Sequence, residues 1–147
     1  MKRLERLIRL TQYLTEFRLP GSDIAPIRVV NHEHATSRLN NQRGTQILIA
    51  RPEVKHSGNS DTYVEFFSTA LFVLEKDLGT SRTDSREDEQ YDRLLALTSD
   101  ILTKIENDAG EFDNPHLKSL TLTSVEIVPE TSIFGGWSGY SIEIEFQ

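Results

Sequence analysis

The 147-residue sequence contains no cysteine, which excludes disulfide staples and thiolate zinc sites. It has no apolar run near the ~20 residues that a helix needs to cross a bilayer. The basic, amphipathic start at residues 1–10 (MKRLERLIRL) interrupts each short apolar stretch with a charge, where a secretion signal keeps an unbroken apolar region. These absences predict a cytoplasmic protein with no membrane association. A formal net charge of −7 works against direct nucleic-acid binding, because neutralising phosphates takes clustered Lys and Arg. No nucleophile and base stand at a recognised spacing, and the sequence predicts no enzyme, no metal site and no cofactor.

What the sequence does have is pattern. Residues 140–147 alternate, with Tyr140, Ile142, Ile144 and Phe146 on one face and Ser141, Glu143, Glu145 and Gln147 on the other. Such period-two alternation marks a half-buried strand, so the last residues are expected inside the sheet. At the other end, Leu4, Leu7, Ile8, Leu14 and Phe17, with Thr11 between, form the apolar stripe of a helix over about 2–18, ended by Pro20-Gly21. Residues 19–44 are rich in Asn, Arg, His and Ser and show little periodicity apart from a possible short strand at 27–30. A connection of that length is usually functional or disordered.

The short apolar run at 46–50 reads as a strand, 57–61 as a turn, and 62–75 as a long strand antiparallel to the first. The long strand is expected to overhang its partner and expose an edge. Ser85 with Asp88 approximates a capping box, and Tyr91, Leu94, Leu95, Ile101, Leu102 and Ile105 continue at helical spacing to a left-handed stop at Gly110. Residues 117–128 alternate again, with Leu120, Leu122, Ser124, Glu126 and Val128 on one face, and 129–136 link them to the final strand. The expected architecture is a single α+β domain. It has a mainly antiparallel four-stranded sheet, two principal helices, the order α-β-β-α-β-β, and a long irregular segment at about 19–44.

Each chemically suggestive feature has a structural explanation beside it. His32-Glu33-His34 places its histidines two apart in an expected loop, where the helical zinc signature needs them four apart. In an extended segment they would share a face, and His56 or His116 would be needed to complete a site. The carboxylates of 84–92 suit a helix N-terminus. The Gly-containing turns at 57–60 and 134–137 lack the following helix of a phosphate cradle. Trp137, flanked by glycines, and Tyr140 are candidate partner contacts, with core burial as the alternative. The basic residues Lys2, Arg3, Arg6 and Arg9 against acidic 84–92 suggest head-to-tail pairing of copies, or two solvated helix faces.

The element order and the terminal Gly136-Trp137-Ser138-Gly139-Tyr140 strand resemble the tail-terminator, or tail-completion, proteins found at the head-tail junction of tailed bacteriophages. The resemblance covers about 1–18 and 45–147. It implies a non-enzymatic subunit that self-associates into a ring, meets virion proteins such as the tail tube or connector, and is made in a bacterial cytoplasm before entering the virion. It carries no catalytic residue onto this chain. A small cytoplasmic ligand-binding or adaptor domain is the alternative reading, and an enzyme with an unrecognised site, built on the His32/His34 loop, is a third.

Overall fold

The computed structural model describes residues 2–59, 64–110 and 114–147, the side chains of Lys2 and Arg3 excepted. In chain order the elements are α1 (Lys2–Glu16), β1 (Ile27–Val29), α2 (His32–Leu39), β2 (Gln46–Ala50), β3 (Glu53–Ser57), β4 (Val64–Lys76), α3 (Asp84–Gly110), β5 (Leu122–Ile133) and β6 (Trp137–Phe146). The fold is α+β. The six strands form one mixed sheet in the order β1-β2-β4-β6-β5, with β3 also paired to β4. The expected series α-β-β-α-β-β survives as α1, β2, β4, α3, β5 and β6, and the sheet differs from the expected one by the addition of β1 and β3.

The largest departure lies in 19–44. Ile27–Val29 pairs parallel to β2, and α2 is the crossover between those two strands. Asn31 caps α2, its side chain accepting from the His34 N–H at 2.8 Å. Ala35 and Leu39 of this helix are fully buried against Ile27, Val29, Leu48, Leu74, Phe134 and Trp137. An eight-residue helix exposing most of its positions carries too few apolar residues for its period to stand out in the sequence. The run Ile47-Leu48-Ile49 is buried on both faces of the sheet, which is why it lacks alternation.

β4 is central rather than exposed. Along one side it pairs with β2 and then β3, and along the other with β6 over Phe67–Lys76, so among the described residues the expected overhang is confined to Val64, Glu65 and Phe66 on the β6 side. The turn expected at 57–61 lies partly outside the described residues, as do 62 and 63. The outer strands are β1 and β5.

α1 and α3 cover one face of the sheet. Their Leu10, Leu14, Leu94, Ile101 and Ile105, with Phe17 just past α1, pack on Ile47, Ile49, Phe67, Leu71, Val73, Ile142, Ile144 and Phe146. The final strand thus buries Ile142, Ile144 and Phe146 as its pattern predicts, whereas Tyr140 is half-buried and Ser141, expected on the polar face, is buried as well. The buried seam runs through Leu10, Tyr13 and Leu14 of α1 to Phe17 just past its end, whereas Leu4 and Ile8 are 52% and 47% exposed. On α3, Leu94, Thr98, Ile101 and Ile105 face inward and Leu95 outward. Thr83, not Ser85, begins this helix: its Oγ1 accepts from the Arg86 N–H at 3.2 Å and its carbonyl from the Glu87 N–H at 2.9 Å. Gly110, the last described residue of this helix, does not have a positive φ.

β5 starts later and runs further than its sequence suggests. A register shift between Leu122 and Ser124 inserts Thr123 and turns Val125 and Ile127, rather than Ser124, Glu126 and Val128, toward the helices. Pro129 continues the strand because β5 is an edge, where a missing N–H is tolerated. The β5–β6 hairpin then turns through positive φ at Phe134, Gly135 and Gly136.

Candidate functional site

Because α2 is short, it covers only the end of its face around Leu48, Leu74 and Trp137. The rest of that face is open, and its chemistry changes across the sheet.

A shallow concavity of about 370 Å³ runs across this face from Val30, Arg51 and Glu53, past β4, to the carboxylates of β5 and β6. Strand alternation that sends Ile142 and Ile144 into the core sends Glu143 and Glu145 outward, and the Thr123 bulge places Ser124 and Glu126 beside them. Glu126 stands directly opposite Glu143 in the antiparallel ladder, a like-charge pairing that disfavours the isolated sheet. Ser68 and Ala70 of β4 pair with Glu145 and Glu143 and leave space in front of the carboxylates. Glu145 accepts from the Thr123 hydroxyl at 3.2 Å. Among the described residues, none of Glu126, Glu143 and Glu145 has a cationic partner within salt-bridge distance.

At the β1 edge, which wraps round from α2 to the α1 side, the sign reverses. A second concavity, about 450 Å³, is lined by Arg18, Arg28, Arg38, Arg51 and His34, with no carboxylate in its wall. The burial of Ile27 and Val29 leaves Arg28 on the opposite side of β1, where its guanidinium donates to Thr15 Oγ1 of α1 at 3.1 Å. Arg38 reaches back from α2 to donate to the Arg28 carbonyl at 3.3 Å. Arg51 donates its backbone N–H to the Val29 carbonyl at 2.9 Å, which extends the parallel ladder. The Val30 N–H donates to His34 Nδ1 at 3.0 Å, leaving Nε2 to carry that ring's proton. None of the four arginines pairs with a carboxylate among the described residues. Val30, 61% exposed, and Arg51 border both concavities.

The residues singled out from sequence are not brought together. Trp137 is 1% exposed in the core under α2, so in this conformation it offers no surface to a partner, and the core alternative describes it. Tyr140 is half-buried edge-on to Tyr91, with ring centroids 5.6 Å apart. Burial, then the charge of Asp92, raises its hydroxyl pKa. Arg9 pairs with Glu5 at 2.9 Å within its own helix. Arg6 lies 5.1 Å from the centre of the Phe67 ring, and the Arg3 side chain is outside the described residues. His32 and His34 open α2 instead of occupying a loop, and His116 Nε2 sits 3.0 Å from Glu16. Among the described residues no three His, Asp or Glu side chains group to hold a metal, and no helix is long and apolar enough to cross a membrane.

Two further polar clusters have structural uses. Asp77 accepts hydrogen bonds from the hydroxyls of Ser132 and Ser138 and so pins the β5–β6 hairpin to the end of β4. Among the described residues no histidine joins these hydrogen bonds. Glu75 is partly buried, which alone would raise its pKa, but hydrogen bonds from Arg93 and Thr45 and the Arg93 charge outweigh burial and lower it. This pair ties β4 to α3.

Sequence reasoning missed the arginine concavity because its members come from four separate elements and connections. One signal was present: residues 18–51 hold five arginines against Asp23 and Glu33, a local basic excess in an acidic chain. No protein-family model matches the sequence, and no curated protein matches it.

Proposed function

We propose that this chain is a non-enzymatic structural subunit of a phage-type tail or head-tail junction, similar to a tail terminator, that acts by repeated self-association. The observation carrying this reading is the difference between the two ends of one sheet: an arginine-lined β1 end and a carboxylate-bearing β5 end. A contact between unlike surfaces is heterologous, so each added copy presents a fresh acceptor, and the assembly closes into a ring or runs on as a filament. Edge strands favour such joining because they carry unpaired backbone groups. The exposed Leu4 and Ile8 of α1 offer apolar surface to a neighbouring subunit or to a tail-tube or connector protein. In this reading the protein needs no cofactor, contacts neither nucleic acid nor membrane, and passes from the bacterial cytoplasm into the virion.

Sedimentation over a wide concentration range, with electron microscopy of any multimer, tests the proposal. Rings are expected, as are flanking genes for capsid, portal or tail-tube proteins. A strictly monomeric protein encoded among metabolic genes would overturn it. That outcome would favour the ligand-binding alternative, which the basic concavity supports: its volume lies within the 300–1,000 Å³ range of small-molecule sites.

A further inference from the structure

Resting on that reading, we infer which surfaces meet: Arg28, Arg38 and Arg51 of one copy receive Glu126, Glu143 and Glu145 of the next, with Val30 at the seam. No member of either group has an ion-pair partner in its own chain among the described residues. Arg28 and Arg38, at the β1 end, stand apart from Glu126 on β5, because β1 and β5 are the outer strands of a sheet path four pairings wide, or about 19 Å at ~4.8 Å per pairing; Arg51 borders the carboxylate concavity but forms no ion pair with Glu126, Glu143 or Glu145. A second copy supplies both complements at once.

The carboxylates of the sheet suit this contact better than those of 84–92. Asp84 and Glu87 lie in the first turn of α3, where the helix dipole already favours negative charge, and Glu87 is paired with Arg82. Glu126 and Glu143, by contrast, oppose each other across the ladder, a repulsion that arginines from outside would relieve. Guanidinium groups match this arrangement, since their planar fork binds carboxylates through two parallel hydrogen bonds. Among the described residues Val30 is the most exposed large hydrophobic, and it adjoins both concavities, so docking would cover it.

The test is a charge swap read by sedimentation at low salt. The variant R28E/R38E/R51E reverses one surface, and E126K/E143K/E145K reverses the other. Each variant alone is expected to sediment as a single chain, with the multimers of the parent protein lost. Mixed in equal amounts they should regain multimers, because the intact acidic surface of the first meets the intact basic surface of the second. If either variant associates as the parent does, or if the mixture stays monomeric, the inference is overturned while self-association of the parent keeps the broader reading. A parent that is monomeric at every concentration and salt overturns both. Should a reversed variant fail to melt cooperatively, the glutamine versions R28Q/R38Q/R51Q and E126Q/E143Q/E145Q replace it. These should shift the association midpoint at least tenfold toward higher protein concentration, and an unchanged midpoint refutes the contact.

Discussion

The two faces of the sheet are built from the same strands but are covered by unequal helices, 15 and 27 residues on one side and 8 on the other. Under α1 and α3 the inward positions are almost wholly apolar, from Ile47 and Phe67 through to Phe146. Under α2 a smaller core closes around Trp137, and beyond it the same strands carry Ser68, Ser124, Glu126, Glu143 and Glu145. Strand β6 contains the whole contrast, since Ile142, Ile144 and Phe146 are fixed by burial while Glu143 and Glu145 are free to be charged. Coverage by a helix therefore decides where this sequence bears stability and where it has room for recognition.

Removing the shared strand should break both faces together. A chain ending at Tyr140 loses the residues of β6 that pair with Phe67–Phe72 on one side and with Leu122–Val128 on the other. It should show no cooperative thermal transition. A truncated protein that melts like the parent would mean that β6 is not the common support of the two cores.

The next largest effect is expected at Gly139, where β6 crosses β4 most closely. Its φ is +156°, and an added Cβ would lie 2.0 Å from the Val73 carbonyl oxygen, so Gly139→Ala requires the central pairing to shift. A loss of several kcal/mol in urea denaturation is expected, in the range that marks backbone strain or overpacking. By contrast Gly44→Ala, also at positive φ but with nothing within 4 Å, should cost about 1 kcal/mol from conformation alone. Equal losses at the two sites would show that the close approach in β6 is not what requires glycine.

A third substitution asks whether the cores fail separately. Leu39→Ala empties a fully buried position under α2 and, like other Leu→Ala changes in cores, should cost about 2–5 kcal/mol of local stability. Hydrogen exchange should accelerate across Ile27–Val29 and His32–Leu39, while Leu94 to Ile105 in α3 keep their protection, because the small core shares few side chains with the large one. Uniform acceleration in both regions would make the two faces one cooperative unit.

The large core was the legible part. The alternation of Tyr140 to Phe146 and the helical spacing of Leu94, Ile101 and Ile105 each repeat over enough residues to read their buried face directly. The small core was not, because its residues are scattered: Ile27 and Val29, Ala35 and Leu39, Leu48, Leu74, Phe134 and Trp137 meet only through a parallel pairing that the sequence does not announce. The same holds for the charged concavities, since arginines 10 or more residues apart converge only once α2 crosses from β1 to β2. One inserted residue, Thr123, reversed the faces of β5, and period counting has no means of detecting a bulge before the partner strand is known.

The smallest predicted effect concerns the start of α3 and sharpens the contrast between sequence pattern and geometry. Ser85 and Asp88 have the spacing of a capping box, yet the Thr83 hydroxyl accepts the helix's early N–H, from Arg86, and Ser85 lies one turn position inside the helix after Asp84. An N-cap threonine contributes typically about 1 kcal/mol, within a range of roughly 0.5–2, whereas serine to alanine inside an exposed helix gains a few tenths of a kcal/mol from propensity. Thr83→Ala should therefore lower the urea midpoint, and Ser85→Ala should leave it unchanged or raise it slightly. The sign of the second change is the decisive reading: a loss at Ser85 as large as that at Thr83 would put the cap two residues later and shorten the helix over the large core.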